Sequence, residues 1–400
     1  MYKLLRNKNN SLEEFGLRLD DGLKSAANTQ EARRSIVVVS TPETDKEKDE
    51  HKSYADDLSV LNINIEDIYN FEKIEKKKKT YSQNWPAYNQ AQMNEFSIFQ
   101  DILIELLDKL LDVKPLNRRG RPFNDLKEML FCCVMRSYFG KSSRRSVSFL
   151  DLALTKAYIS KKPHFNTILN YYKDETLTPI LKYLIEQAAS PLKDVEVDFS
   201  VDSSGFSTSL YGRWLDVRAT SKSKKRLYKK AHVTSGVKTN IITAIEVTPG
   251  YYADSPQFKE LIKITAKTFK IREVSADKAY SSRKNLQTVI QQGAIPFIPF
   301  RKGTGKRSRG HLIWTRMRQV YDKERDYFNK HYHKRSNVES VFNMIKRKFG
   351  THLYSKSDTG QTNEVLCKAP AHNICVLIQE IHELDLKIDF NYCATTKVKR

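Results

Sequence analysis

The chain has few cysteines, and they do not form a pattern that builds a site. Five cysteines occur in 400 residues, and none of them has CxxC spacing. An odd count without close pairs argues against both a disulfide framework and a zinc site. We therefore expect reduced, structural thiols, with Cys132 and Cys133 inside an apolar helix.

Long apolar runs and a surplus of acidic residues are also missing. No run of about eighteen apolar residues occurs, and MYKLLRNKNN lacks the apolar core of a signal peptide, so we expect no membrane partner. Lysine and arginine number 69 against 47 acidic residues, which leaves a net charge of +22. Such a field favours a polyanionic partner, and nucleic acid remains once the membrane is set aside.

Composition divides the chain into regions, and its length allows several domains. Residues 1–90 are polar and charge-mixed, which predicts a weakly ordered N-terminal region. From about residue 94 apolar residues recur at helical spacing, so we expect an all-helical DNA-binding domain over 91–191. Within it, SKKPHFNTILNYY is compatible with a helix-turn-helix, although ordinary helical packing explains the same pattern. The groove-facing residues would be Lys161, Lys162, His164 and Asn166.

Strand patterns begin after residue 191. In KDVEVDFSVDSSGF apolar and polar residues alternate, which predicts a strand that ends at Asp202. Two strands around a Ser-Gly-Val-Lys turn follow, then a helix with Asp254 as its N-cap, and then the strand IREVSA running into Asp277. A helix and the strand AIPFIPF come next, and helices close the region.

This order predicts an α/β fold, a ribonuclease-H-like mixed sheet flanked by helices. We expect the catalytic domain over 192–385, with a short helical insert at about 301–330 and a basic tail over 386–400.

Three acids are expected to meet at one edge of that sheet. Asp202 and Asp277 both follow strands, and Asp198 is a rival for the first position because it shares a strand face with Asp202. Glu339 lies in HYHKRSNVESVFNMIKRKFG, a helical segment bounded by Gly350. On a helical wheel, four polar residues fall within about 60° of one another beside an apolar arc. They are Tyr332, Arg335, Glu339 and Lys346.

These four residues match every spacing of the Y-(2)-R-(3)-E-(6)-K signature, and VDSSGF and SADKAYSS surround the two aspartates. Over about residues 190–380 the chain resembles the insertion-sequence DDE transposases. The resemblance implies that Asp202, Asp277 and Glu339 are catalytic and bind two Mg²⁺ ions, with Mn²⁺ as a possible substitute. It also implies that the Tyr, Arg and Lys of the signature contact DNA near the cut end.

The resemblance implies a function as well. An insertion-sequence transposase binds the terminal inverted repeats of its element and catalyses metal-dependent strand cleavage and strand transfer. We thus expect a cytoplasmic, DNA-associated protein of a prokaryote, acting on double-stranded DNA as a homodimer. Only 61 residues, 278–338, separate Asp277 from Glu339, which leaves no room for the large β-rich insertion of some relatives.

The chemistry explains why such residues are needed. Phosphodiester transfer is assisted by two hard cations about 4 Å apart, and carboxylates are the ligands that such ions prefer. Three converging acids without metal repel one another, which raises their pKa values. Basic loops could bind phosphate backbones, or they could simply be solvated. The residues concerned are Lys224, Lys225, Arg226, Arg301 and Lys302.

Two other functions fit the same residues. A ribonuclease-H-fold nuclease that never joins DNA would have the same acids. A domesticated, non-catalytic DNA-binding protein would keep the basic surface without needing them.

Overall fold

The computed structural model describes residues 84–110, 124–208, 228–304 and 312–384, all within the unit Tyr81–Arg400. The predictions for residues 1–83, for Lys224, Lys225 and Arg226, and for the tail at 386–400 lie outside the described residues. In the described part, no helix combines the length and the apolar character that crossing a membrane requires.

Helices make up the described chain before the sheet. Their bounds are α1 Trp85–Asp108, α2 Leu126–Phe139, α3 Ser143–Ser146, α4 Leu150–Thr155, α5 Phe165–Tyr172 and α6 Leu177–Ala189. The first helix begins nine residues before the predicted start at residue 94. Asn84 accepts a hydrogen bond from the Ala87 amide at 3.3 Å, and Pro86 lies in the first turn. This cap starts the helix before its apolar periodicity becomes visible.

The sheet has five strands, β1 Asp198–Ser207, β2 Tyr228–Gly236, β3 Ile242–Pro249, β4 Glu273–Ala276 and β5 Ile295–Phe297. Their order is β3-β2-β1-β4-β5, with β1, β2 and β3 antiparallel and β4 and β5 parallel to β1. Helices α7 Phe258–Thr268 and α8 Arg283–Gln291 lie between the later strands. The predicted α/β class, a mixed ribonuclease-H-like sheet flanked by helices after an all-helical region, is confirmed.

The prediction that β1 ends at Asp202 is wrong. Its pairing with β2 runs from Phe199 opposite Gly236 to Ser207 opposite Tyr228, so Asp202 lies in mid-strand. The Ser-Ser-Gly sequence after Asp202 is typical of a turn, but pairing with a distant strand overrides that local tendency. On the other side, the ladder with β4 ends at Val201 opposite Ala276. Asp202 is therefore the first residue of β1 beyond its parallel neighbour.

Helices follow the sheet, with bounds α9 Leu312–Lys323, α10 Arg325–Tyr332, α11 Ser336–Phe349 and α12 Asp358–Leu384. Helices α9 and α10 occupy much of the stretch from 301 to 330, and its assignment as an insert stays a prediction. A 3₁₀ turn over His333–Arg335 separates α10 from α11, so the predicted single helix around Glu339 is wrong in detail. Its apolar arc is buried as expected, and Gly350 follows α11 with φ 84°. The arc comprises Val338, Val341, Phe342, Ile345 and Phe349.

Helix α12 connects the helical region to the sheet. It packs against α1, α2 and α6 as well as against β3. The buried Asn373 side chain bonds both the amide and the carbonyl of Ile242, at 2.9 and 2.8 Å, where β3 begins. The two parts therefore share one core, and the division at residue 191 into DNA-binding and catalytic domains stays a prediction.

The thiols and the suggested helix-turn-helix lie in the helical region. Cys132 and Cys133 are free and buried in α2, in agreement with the expectation of structural thiols. Lys162 is ion-paired with Asp151 at 2.6 Å, and His164 accepts a hydrogen bond from the Asn166 amide at the start of α5. Both residues therefore have partners within the protein, and their binding to a DNA groove stays a prediction.

Candidate active site

Two aspartates lie side by side where the parallel ladder ends. Val201 and Ala276 form its last pair, and Asp202 and Asp277 are the next residues on the two strands. Asp202 accepts a hydrogen bond from the Ser203 amide at 2.8 Å. Asp277 accepts one from the Lys278 amide at 2.7 Å and caps a 3₁₀ turn there. Because adjacent strands lie about 4.8 Å apart, this register brings the two carboxyl groups to the same edge of the sheet.

Arg335 links Asp202 to Glu339. Its Nη1 donates to Asp202 Oδ2 at 2.6 Å, and its Nη2 donates to Glu339 Oε1. Glu339 is one turn beyond Arg335, in the first turn of α11. Acids that are 137 positions apart, at 202 and 339, thus share one guanidinium group.

Positive charge between these acids is supplied by the protein itself. Among the described residues, no three His, Cys, Asp or Glu side chains are close enough to hold a metal ion as they stand. Burial raises the pKa of Asp202, and the negative charges of Asp277 and Glu339 raise it further, while the Ser203 amide and Arg335 oppose the shift. Burial is thus the main cause of the raised pKa, and the two neighbouring carboxylates add smaller contributions in the same direction.

The remaining signature residues lie along the same strand edge. Lys346 Nζ donates to Ser204 Oγ at 2.6 Å, and Ser204 shares a β1 face with Asp202 because alternate residues point the same way. Burial raises the pKa of Tyr332. The positive charge of Arg335 opposes this shift, and the negative charge of Asp277 adds to it. Despite the 3₁₀ turn, the signature residues therefore surround one site.

Residues 194–374, which contain this site, match the family described as Transposase DDE domain. The chain therefore contains a transposase DDE domain over these residues. Over 318 residues the transposase is 24% identical to the "Probable transposase for insertion sequence element ISA1214" of Archaeoglobus fulgidus, a match that covers 79% of this chain and 93% of that protein. No solved structure matches the transposase.

Asp198, the rival first acid of the transposase, has a different environment. Arg272 Nε donates to its carboxylate at 2.6 Å and Lys334 Nζ donates at 3.0 Å. Lys334 also pairs with Glu273 at 2.7 Å. Asp198 thus belongs to an ion-pair network near the start of β1, which favours Asp202 as the first acid.

Asp254 is placed differently from its prediction. It precedes a 3₁₀ turn over Ser255–Gln257 but makes no side-chain capping bond. Its Oδ1 accepts from Ser203 Oγ at 2.9 Å and from Lys230 Nζ at 3.0 Å instead. The capping prediction is therefore wrong, because partners on neighbouring strands outcompete the local amides. The contacts of Ser203 and Lys230 with Asp254 are not predicted from the sequence, although alternation along the two paired strands places both side chains on one face.

Arg301 and Lys302, which are predicted to contact DNA, lie in different environments. Arg301 donates to the carbonyls of Ala279 at 2.9 Å and Lys278 at 3.3 Å, so it braces the turn after Asp277. Lys302 is exposed. The DNA contacts expected of both residues stay predictions.

Proposed function

We propose that this transposase cuts DNA at the ends of its own element and joins the freed 3′ ends to target DNA, using Asp202, Asp277 and Glu339 as its catalytic acids. The observation that carries the proposal is the shared contact of Asp202 and Glu339 with Arg335, beside Asp277. Asp202 in β1 shares Arg335 with Glu339 of α11, and Asp277 directly follows β4 beside it; all three lie inside the matched family domain.

The donor set fits divalent metal ions. All three groups are carboxylates, and hard cations such as Mg²⁺ or Mn²⁺ prefer oxygen ligands. Burial is the main cause of the raised pKa of Asp202, and Asp277 and Glu339 add to it, so a cation bound here would stabilise the charged carboxylate. We propose that the three acids hold two such ions, which when bound neutralise charge on the phosphate oxygens and assist the attacking oxygen.

The signature cations and tyrosine would orient the DNA. Once the carboxylates are neutralised by metal, the guanidinium of Arg335 is available to donate two hydrogen bonds to one phosphate. Lys346 contacts Ser204, which lies two residues from Asp202 on the same face of β1, and would contact a neighbouring phosphate. Tyr332, half-buried beside Arg335, would contact the same strand.

The wider DNA contacts follow from charge. A net charge of +22 suits double-stranded DNA, and we propose that the basic loops hold its backbone. The residues concerned are Lys224, Lys225, Arg226, Arg301 and Lys302. The helical region would bind the terminal repeats, and a homodimer would hold two transposon ends together.

The test uses a labelled transposon end, target DNA and Mg²⁺ or Mn²⁺. We expect Asp202→Ala, Asp277→Ala and Glu339→Ala each to bind the end while making no cleaved or joined product, because each removes a metal ligand. Asp322→Ala is a matched control, since Asp322 pairs with Arg318 within α9, a helix that carries none of the three acids. Binding is measured by fluorescence anisotropy without metal.

Products of the wild-type reaction separate the functions. Cleaved ends with joined target DNA support the transposase mechanism. Cleavage without joining indicates a nuclease, and end binding without either product indicates a non-catalytic binding protein. Normal joining by Glu339→Ala would overturn the assignment of the third acid.

A further inference from the structure

The strand that carries Asp202 is supported on one side at the position where the acid lies. The ladder with β4 stops at Val201, whereas β2 continues opposite Asp202 and Ser203. A metal ligand must be held in a narrow range of positions to keep its coordination geometry. An additional anchor on β1 next to Asp202 would therefore affect the site directly.

Asp254 is such an anchor. Its Oδ1 accepts a hydrogen bond from Ser203 Oγ at 2.9 Å, and the Ser203 amide in turn donates to Asp202 Oδ1 at 2.8 Å. Successive residues on a strand point to opposite faces, so Asp254 approaches β1 from the face opposite the Asp202 side chain. It holds the strand without occupying the space where Asp202, Asp277 and Glu339 meet.

The Asp254 carboxylate is itself fixed by β2. Lys230 Nζ bonds Asp254 Oδ1 at 3.0 Å and the Tyr252 carbonyl at 3.2 Å, so it ties down the loop that carries the acid. His232 Nδ1 lies 3.4 Å from the same oxygen. The His232 Nε2 is bonded to Thr248 Oγ1 at 2.8 Å.

The titration of His232 is consistent with a fixed network. Burial lowers the pKa of His232 to about 4, so the ring is neutral at neutral pH. The neutral ring shares a hydrogen bond with the Thr248 hydroxyl at Nε2, and its Nδ1 faces Asp254. Lys230 then supplies the positive charge that offsets Asp254.

Tyr280 connects this network to the second acid. It is buried, three residues after Asp277. Burial raises its pKa, and the negative charges of Asp254 and then Asp202 raise it further. Asp254 and Asp202 are therefore both near one buried phenol on the segment that follows Asp277.

We propose that Asp254 is a positioning residue of the transposase: through Ser203 it holds β1 so that Asp202 can bind metal. The inference rests on the proposed metal-binding role of Asp202. Loss of hydrogen-bonding partners around a metal ligand costs about 10-fold to 100-fold in metal affinity, and we expect about tenfold here.

The experiment measures Mn²⁺ affinity of the full chain without DNA, by titration calorimetry and electron paramagnetic resonance. We expect Asp254→Ala and Ser203→Ala to raise the Mn²⁺ dissociation constant about tenfold. Ser203→Thr keeps the hydroxyl donor and should retain wild-type affinity. Asp322→Ala removes an ion-paired carboxylate of equal charge and should leave the affinity unchanged. Thermal unfolding is recorded for every variant.

Each outcome decides the proposal. Wild-type Mn²⁺ affinity in Asp254→Ala would overturn it, as would equal weakening by Ser203→Ala and Ser203→Thr. If Asp254→Ala does not fold, the two Ser203 variants decide by themselves. Wild-type affinity in Asp202→Ala would instead show that the proposed metal site is wrong, whatever Asp254 does.

Discussion

Arg335 holds two carboxylates with one side chain, and it lies where a divalent cation is expected to act. Its bonds to Asp202 and Glu339 reduce the repulsion between them and keep α11 close to β1. A guanidinium in this position competes with metal for the same oxygens. It is also the group best suited to a DNA phosphate once it is released. Metal loading and DNA contact are therefore expected to favour each other.

Replacing Arg335 by Gln should separate the effect of Arg335 on metal binding from its effect on DNA binding. Removing a positive charge from beside the acids strengthens their attraction for cations, so we expect Arg335→Gln to bind Mn²⁺ about threefold or more tightly without DNA. The same variant should bind the transposon end more weakly. Titration calorimetry measures the first change and anisotropy the second.

Arg347→Gln is the matched control, because Arg347 is an exposed arginine on the same helix. It should leave Mn²⁺ affinity unchanged. Equal or weaker Mn²⁺ binding by Arg335→Gln would contradict the competition between arginine and metal.

Helix α11 carries Glu339, and its far end is held by Lys368 of α12. Lys368 Nζ donates to the carbonyls of Phe349 at 2.8 Å and Gly350 at 2.7 Å. The last carbonyls of a helix lack partners within the helix and carry partial negative charge, which a cation satisfies. Burial lowers the pKa of Lys368 to about 8. The placement of α11 therefore depends on a buried lysine.

Lys368→Met should lower stability in a pH-dependent way. The lost hydrogen bonds should cost about 1 to 3 kcal/mol at pH 7. The folded-state pKa of Lys368 is below the ordinary value of 10.5, so the folded state releases its proton first. The stability that the deprotonated Lys368 contributes is fully present above pH 10.5. It is lost as the pH falls through about 8. The difference between wild type and Lys368→Met should therefore grow from pH 8 to pH 10.

Urea unfolding at pH 7, 9 and 10 measures this difference. Lys356→Met, at an exposed lysine, should show no such growth with pH. A pH-independent difference for Lys368→Met would show that the lysine is charged in both states.

At the largest scale that the described residues allow, a buried ion pair joins α2 of the helical region to α12, the helix that also packs against the sheet. Arg136 of α2 lies 3.4 Å from Glu364 of α12, and both side chains are almost fully buried. Glu364 also accepts from the amides of Tyr354 at 2.9 Å and Ser355 at 2.8 Å. The Arg136 guanidinium stacks over Tyr172 at 4.6 Å. The pair thus joins α2, α5 and α12 at one point.

Removing only one partner of this ion pair should strongly lower the free energy of unfolding. Arg136→Met leaves a buried carboxylate without its cation and should lower the free energy of unfolding by about 3 to 5 kcal/mol. Arg136→Met combined with Glu364→Gln should cost clearly less than the sum of the two single changes, because the double variant has no uncompensated charge. Urea unfolding of the four proteins gives the coupling.

An exposed ion pair should contribute much less to stability than this buried pair. Lys162→Met disrupts the pair with Asp151 and should cost less than about 1 kcal/mol. Strict additivity of the Arg136 and Glu364 changes would contradict the coupling.

The sequence by itself determined the fold class and the positions of the three acids along the chain. The buried arc of α11 reflects burial within a few residues, which periodicity records directly. The spacing of Tyr332, Arg335, Glu339 and Lys346 is likewise local information. These features do not depend on the exact residues at which the strands and helices begin and end.

Only the tertiary structure decided which side chains meet. The continuation of β1 past Asp202 depends on its register with β2, and the bond between Ser203 and Asp254 joins residues 51 positions apart. Likewise, Asp198 is excluded from the proposed site by Arg272 and Lys334, which no local pattern relates to it. Local periodicity indicates which face of an element is buried, but hydrogen-bond and ion-pair partners depend on how distant elements pack.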